Sequence, residues 1–153
     1  MDTEKFAAGP CPVARGALRA GDMWSMMILR DAGLGITRFD DFRRRLGIAP
    51  NILTRRLTAL TADGLLERRR YSTRPPRDEY LLTACGRDFL PVLQALGAWG
   101  RNWFGEGPLS RLVEAQSGRT IDPVVVDRAT GTPLDAIDLR VELPDQAPEP
   151  GSA

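Results

Sequence analysis

Two cysteines, Cys11 and Cys85, are the only thiols in the 153-residue chain, and histidine is absent. Histidine is the commonest general base and the usual partner of a nucleophilic cysteine or serine, so its absence argues against an enzyme. Carboxylate chemistry is the alternative that this composition leaves open. Two cysteines without histidine do not form the usual zinc-binding patterns either. We therefore expect no catalytic residue, no cofactor and no metal.

The distribution of arginine along the chain is the clearest indication of a binding surface. The segment RRRYSTRPPRDEY, Arg68 to Tyr80, contains five arginines and two consecutive prolines in thirteen residues. The block from Ile36 to Tyr80 contains eleven arginines against six acidic residues, whereas the chain from Gly105 onward contains four against nine. This segregation of charge predicts an anionic partner for the first block. A codon bias is the alternative explanation for the use of arginine rather than lysine.

Helical spacing predicts the elements that position these arginines. Apolar periodicity and capping residues indicate four helices in the first part of the chain, at 12–20, 23–32, about 39–46 and 50–62. In the fourth helix, Leu53, Leu57 and Leu60 recur at i, i+4 and i+7 and are expected to face the core. Its opposite face carries polar residues, namely Asn51, Thr54, Arg55 and Thr58.

Two strands and a long helix follow. LLERRRY and EYLLT alternate as strands do, and the residues between them, Ser72 to Asp78, predict a seven-residue loop stiffened by two prolines. Thr83 is expected to cap a helix from about Ala84 to Phe104. One side of that helix carries an apolar stripe of Phe89, Val92, Leu93, Leu96, Trp99 and Trp103.

The composition changes after Gly105 to short apolar segments separated by turn residues. This pattern predicts a small antiparallel ribbon in which Val124–Val126 pair with Leu139–Val141. The last residues are acidic and rich in proline, which is typical of disorder. The expected organisation is a first domain over 11–104, a β-rich appendage over 105–143 and a disordered tail over 144–153.

The order of elements predicts an α+β, mainly helical fold: a winged helix-turn-helix with a long helix after the hairpin. In that fold the second helix of the pair enters the DNA major groove, and the hairpin reaches the backbone or the minor groove. Arginine suits guanine and asparagine suits adenine. The alternative is a merely solvated polar face. The predicted DNA contacts are Arg38, Asn51, Thr54, Arg55, Thr58, Arg74 and Arg77.

The residues from Cys11 to about Trp103 resemble the HxlR-type winged helix-turn-helix transcriptional regulators, which are related to the MarR group. The features that carry the resemblance are CPV at 11–13, Gly-x-x-Trp at 21–24, ILR at 28–30, RF at 38–39, L-x-x-RL-x-x-L at 53–60, GLLERR at 64–69, PPRDEYLLT at 75–83, Gly86 and Trp99. Two departures are Met23, where a lysine is common, and Ala84-Cys85, where charged residues are usual.

The resemblance implies a homodimer formed by the first helix and the long helix. Its expected interface residues are Val13, Leu18, Phe89, Leu93, Leu96, Trp99 and Trp103. A two-fold dimer would place two recognition helices on a pseudo-palindromic operator. Packing of the apolar stripe within one chain is the alternative.

The resemblance also bears on the cysteines and on the appendage. Some members sense oxidants or electrophiles through a cysteine placed like Cys11, which makes Cys11 a candidate redox sensor. A thiol at a helix N-terminus is favoured as thiolate.

Some relatives carry a ribbon with cysteine knuckles. Ser117, Asp127 and Thr130 stand at those cysteine positions here, so the turns are expected to form without zinc.

Together these patterns predict a sequence-specific, DNA-binding transcriptional regulator, expected to be a repressor, that binds double-stranded DNA as a homodimer. A small-molecule effector or a redox signal is the expected means of control. The alternative function is a winged-helix protein-interaction module without operator binding. No secretory signal and no membrane-spanning stretch is visible in the sequence, so we expect a cytoplasmic protein with no membrane partner.

Overall fold

The computed structural model of the protein describes residues 3–144, so residues 145–153 of the predicted tail lie outside the described part. The chain divides into two compact units, Met1–Leu93 and Gln94–Ala153. The division falls inside the last long helix, whereas the boundary predicted from sequence follows residue 104.

The elements are α1 Thr3–Ala8, α2 Pro12–Ala20, α3 Met23–Gly33, α4 Phe39–Leu46, α5 Pro50–Ala62, β1 Leu66–Thr73, β2 Pro76–Leu82 and α6 Ala84–Trp103, with a 3₁₀ turn, η1, at Leu134–Ala136.

The helices begin where the sequence predicts. Pro12 occupies the first turn of α2, where a missing N–H costs nothing. The carboxylate of Asp22 caps α3 by accepting a hydrogen bond from the Ser25 backbone N–H at 3.1 Å. The short helix α1 has no counterpart in the predictions, because TEKFAA shows no apolar periodicity.

The helix pair α4 and α5 packs on a core within the first unit. Gly47 has a φ of +62° and ends α4 in the left-handed conformation that glycine adopts most easily. Leu53, Leu57 and Leu60 of α5 are fully buried, as predicted from their spacing. They pack in one cluster with other buried side chains, including Ile28, Leu29, Phe42 and Leu66.

The hairpin is longer in its strands and shorter in its loop than the sequence suggests. β1 and β2 pair antiparallel from Leu66 opposite Leu82 to Thr73 opposite Pro76, with an irregularity between Arg70 and Ser72. The predicted seven-residue loop is therefore wrong, since only Arg74 and Pro75 separate the strands. A proline usually interrupts strand pairing, but it is tolerated at the first residue of an edge strand, as at Pro76.

A close backbone contact fixes the start of α6. The Thr83 hydroxyl caps α6 by accepting a hydrogen bond from the Gly86 N–H at 3.1 Å, and it donates to the Gly64 carbonyl at 2.6 Å. A Cβ at position 86 would lie 2.1 Å from the Leu65 carbonyl oxygen, so only glycine fits there. The end of α5 and the start of α6 are thus joined through residues 64 and 65.

The second unit contains bridged turns rather than extended strands. From Phe104 to the end of the described part at residue 144, the chain forms two isolated bridges, Val113 with Thr120 and Val126 with Pro133. Each bridge closes a tight turn between residues that are close together in the sequence. The small antiparallel ribbon predicted for this region is therefore reduced to two local turns.

The predicted pairing of Val124–Val126 with Leu139–Val141 is wrong. Leu139 and Val141 are 67% and 87% exposed. The reason is local: the turn after Val126 reverses the chain at once, so the backbone partners of residues 125–127 are residues 132–134 instead. The mainly helical winged-helix fold itself is as predicted.

Candidate nucleic-acid interface

The outer face of α5 presents the polar residues predicted to contact DNA. Asn51, Thr54, Arg55 and Thr58 are all exposed and lie opposite the buried leucines. The Thr54 hydroxyl donates to the Pro50 carbonyl at 2.9 Å, which leaves its lone pairs free to accept. Within residues 3–144, the side chains of Asn51, Arg55 and Thr58 have no hydrogen-bonding or ionic partner. This face therefore combines free donors and acceptors of the types that contact base edges.

Two ion pairs hold the helix pair against α3. Arg56 of α5 lies 3.2 Å from Asp22, the residue that caps α3. Asp31 of α3 is fully buried, and its carboxylate lies 3.1 Å from Nε of Arg45 in α4 and 2.8 Å from Arg30. Arg45 is about half exposed, and its contact with the buried Asp31 gives it a structural role.

The three consecutive arginines of β1 are paired with two acidic residues on β2. Asp78 accepts hydrogen bonds from Arg70 Nε at 2.8 Å and from Arg68 Nε at 2.9 Å, and Glu79 pairs with Arg69 at 2.9 Å. The bonds from Arg70 and Arg68 lower the pKa of Asp78 to about 2. The strand part of the hairpin thus carries little free positive charge.

The hairpin tip is different. Arg74 and Arg77 are exposed, and neither has an acidic partner within 4.0 Å in the described part of the chain. Arg38 stacks on the Tyr71 ring, with its guanidinium carbon 4.6 Å from the ring centroid. Arg38, Tyr71 and Arg77 line one open cleft of about 350 Å³ beside the start of α4. No local sequence pattern indicates this stack, because Arg38 and Tyr71 are distant along the chain.

The residues predicted for a dimer interface divide into two groups. Phe89 and Leu93 are half-buried and pack on the core of their own unit. The others are exposed, with Val13 at 77% and Trp103 at 74%; this group consists of Val13, Leu18, Leu96, Trp99 and Trp103. The beginning of the apolar stripe thus packs within its own chain, as the alternative interpretation predicts. The exposed residues of the stripe remain accessible to a partner.

Both cysteines are exposed free thiols. Cys11 is the N-cap residue of α2, and its side chain makes no capping hydrogen bond. Cys85 lies in the first turn of α6. The positions that carry cysteine in some relatives form hydrogen-bonded turns here: Asp127 accepts from Thr130 Oγ1 at 2.8 Å, and Ser117 accepts from the Arg119 N–H at 3.2 Å.

These features define a winged helix-turn-helix protein with a polar recognition face and a basic hairpin tip. The comparison with known families agrees, since residues 20–108 match the HxlR-like helix-turn-helix family. The chain belongs to this family. It is a DNA-binding transcriptional regulator, as the family and its named relatives are.

The chain is similar to one curated relative and to two solved structures that illustrate the comparison. The chain is 35% identical over 141 residues to the uncharacterized HTH-type transcriptional regulator Rv3095 of Mycobacterium tuberculosis, covering 91% of this chain and 85% of that protein. The crystal structure of PA1607, described as a candidate transcription factor, is 39% identical with a TM-score of 0.81, covering 90% of this chain and 98% of that one. The redox regulator HypR in its reduced form is 33% identical with a TM-score of 0.57, covering 60% and 92%.

Within residues 3–144, no helix combines the length and the apolar content needed to cross a lipid bilayer.

Proposed function

We propose that the protein is a sequence-specific repressor that binds a pseudo-palindromic operator as a homodimer. The observation that carries the proposal is the exposed face of α5, where Asn51, Arg55 and Thr58 have no partner within the described residues while the opposite face is fully buried. A stable helix with free polar groups on one side suits insertion into a major groove.

The proposed contacts fall into two classes. Asn51, Thr54, Arg55 and Thr58 contact base edges and supply specificity. Arg38, Arg74 and Arg77 contact phosphates and supply affinity that depends on salt. The pairing of Arg69 with Glu79 supports restricting the phosphate contacts in the hairpin to its tip.

Binding of DNA across a range of salt concentrations tests this assignment. An operator is first selected from a random DNA library, and affinity is then measured by fluorescence anisotropy. Arg77→Ala should reduce the slope of log affinity against log salt by about 1.8, because each of the two protomers loses one phosphate contact worth about 0.9. The control is the double variant Arg69→Gln/Glu79→Gln, which removes a neutral pair and should leave the slope nearly unchanged.

Asn51→Ala tests the contacts with base edges separately from the contacts with phosphates. Because both protomers lose the contact, we expect it to weaken operator binding by about 2 to 6 kcal/mol, about 1 to 3 kcal/mol per half-site, and to leave binding to random DNA unchanged. If neither Arg77→Ala nor Asn51→Ala changes binding, the site assignment is wrong. If no operator can be selected while a protein partner is recovered, the chain is an interaction module instead.

The proposed dimer uses the exposed part of the apolar stripe together with α2. The exposure of Leu96, Trp99 and Trp103 supports it, since adjacent large apolar side chains rarely remain in contact with water. Leu96→Glu should produce monomers in sedimentation experiments. Val141→Glu, at another exposed apolar residue, is the control and should leave the dimer intact.

A redox signal is the proposed control at Cys11. One structural relative is a redox regulator described in reduced and oxidised forms, and Cys11 is an exposed thiol at a helix N-terminus. Hydrogen peroxide, which oxidises a single thiol to a sulfenic acid and is itself reduced to water, should release the operator from the wild-type protein and from Cys85→Ser, but not from Cys11→Ser. An equal response of Cys11→Ser would assign the sensing elsewhere.

A further inference from the structure

The second unit contains a cleft of about 460 Å³, a volume within the range of small-molecule sites. Its walls come from the last turns of α6 and from the segment between Asp122 and Asp135. All of its lining residues belong to the second unit. None of them lies in α5 or in the hairpin, so the cleft shares no residue with the proposed DNA contacts.

Two tryptophans form part of the wall. Trp99 and Trp103 both line the cleft and both remain largely exposed. The Trp99 ring meets the Phe104 ring edge to face, with centroids 5.1 Å apart, which restricts its orientation. The faces of indole rings carry negative charge density and attract cations.

Two carboxylates line the same cleft. Within residues 3–144, Asp122 and Asp135 have no hydrogen-bonding or ionic partner. Other acidic residues of this unit are engaged: Glu114 pairs with Arg119, and Glu142 with Arg140. The charge at the cleft is therefore not neutralised by the protein.

The wall opposite α6 is held by local hydrogen bonds. The Leu134 N–H donates to the Val125 carbonyl at 3.1 Å, and the Asp127 N–H donates to the Thr132 carbonyl at 2.9 Å. Val125 and Leu134 both line the cleft. A wall that is already ordered loses less conformational entropy when a ligand binds.

We propose that this cleft binds a hydrophobic organic cation, in which an apolar body contacts the tryptophans and a positive centre lies near Asp122 and Asp135. A bare metal ion fits less well, since the described residues contain no group of three metal-ligating side chains. The regulatory consequence rests on the proposed function: Trp99 and Trp103 also belong to the proposed dimer stripe, so a bound cation would alter dimerisation.

Two ions of the same shape and opposite charge test the proposal. Tetraphenylphosphonium and tetraphenylborate are titrated into the full-length protein by calorimetry. The cation should bind and the anion should bind at least about tenfold more weakly. The net charge of the chain is +1, so the protein as a whole gives no advantage to the cation.

Three variants locate the site. Asp122→Asn and Asp135→Asn should each weaken cation binding about threefold, as expected for exposed charges. Asp138→Asn, at an exposed acidic residue outside the cleft, should bind like the wild type. Circular dichroism verifies that each variant is folded.

Equal binding of both ions, binding of neither, or cation binding that both cleft variants leave unchanged would overturn the proposal. The titrations contain no DNA. A failure of operator binding therefore leaves this result intact, and a failure here leaves the operator proposal intact.

Discussion

The two units of the chain are stabilised in different ways. The first contains a cluster of ten buried hydrophobic residues, whereas Ala98, at 6% exposure, is the single buried hydrophobic residue in the described part of the second. The second unit relies on backbone and side-chain hydrogen bonds within turns. Burial therefore fixes the structure of the first unit, while local turn chemistry leaves many large apolar side chains of the second unit exposed.

The largest expected effect comes from the core of the first unit. Leu57→Ala should lower the free energy of unfolding by about 2 to 5 kcal/mol, because it removes a fully buried side chain and leaves a cavity. Leu139→Ala, at a leucine that is 67% exposed, should change it by less than about 0.5 kcal/mol. Urea denaturation at fixed protein concentration measures both. Similar losses of unfolding free energy in the two variants would contradict the proposed difference between the two units.

A second, smaller effect concerns the buried carboxylate of the first unit. Asp31→Ala should cost about 1 to 3 kcal/mol, since Arg30 loses its hydrogen-bond acceptor and Arg45 loses its ionic partner. Both arginines are about half exposed, so water can replace part of that interaction. Asp40→Ala, at an exposed acidic residue, is the control for urea denaturation. A loss of the same size in both variants would rule out a special role for Asp31.

The third effect compares one hydrogen-bonding residue from each unit. Thr83→Ala should cost about 1 kcal/mol of global stability, because it removes the cap of α6. Asp127→Ala should leave the midpoint of global unfolding unchanged and should instead accelerate amide hydrogen exchange at Ala129 and Thr130, whose N–H groups donate to its carboxylate. A shift of the global midpoint by Asp127→Ala would show that the turn is coupled to the core.

The smallest effect is electrostatic. Arg70 and Arg68 lower the pKa of Asp78 to about 2, and hydrogen bonds from Thr130 and Ala129 lower the pKa of Asp127. A carboxyl whose pKa is lower in the folded state contributes stability that is fully present above its unfolded value, about 3.9, and is lost as the pH falls toward the folded value.

Salt distinguishes these two carboxyls. High salt should raise the pKa of Asp78 toward its ordinary value, because its partners are charged, and should move that of Asp127 less, because its partners are neutral. Carboxyl carbon shifts measured by NMR at low and high salt give both values. Equal changes of the two pKa values with salt would show that charged partners do not distinguish Asp78 in the hairpin from Asp127 in the turn.

Much of the fold follows from sequence spacing. Leu53, Leu57 and Leu60 predict both the buried face of α5 and, by exclusion, its polar face, because helical periodicity is a local property. The length of the hairpin loop does not follow in this way, since the pairing of Ser72 and Thr73 depends on the partner strand. The Arg38–Tyr71 stack and the Asp31–Arg45 pair join distant positions, which no local pattern reveals.

The joint between Thr83, Gly86 and residues 64–65 has a mechanical consequence. The Leu65 carbonyl oxygen and the Leu82 side chain close the space beside Gly86, and the Thr83 hydroxyl binds the Gly64 carbonyl. The start of α6 therefore cannot move far without also displacing residues 64 and 65, which directly follow α5. The joint thus limits the independent motion of the end of α5 and the first turn of α6.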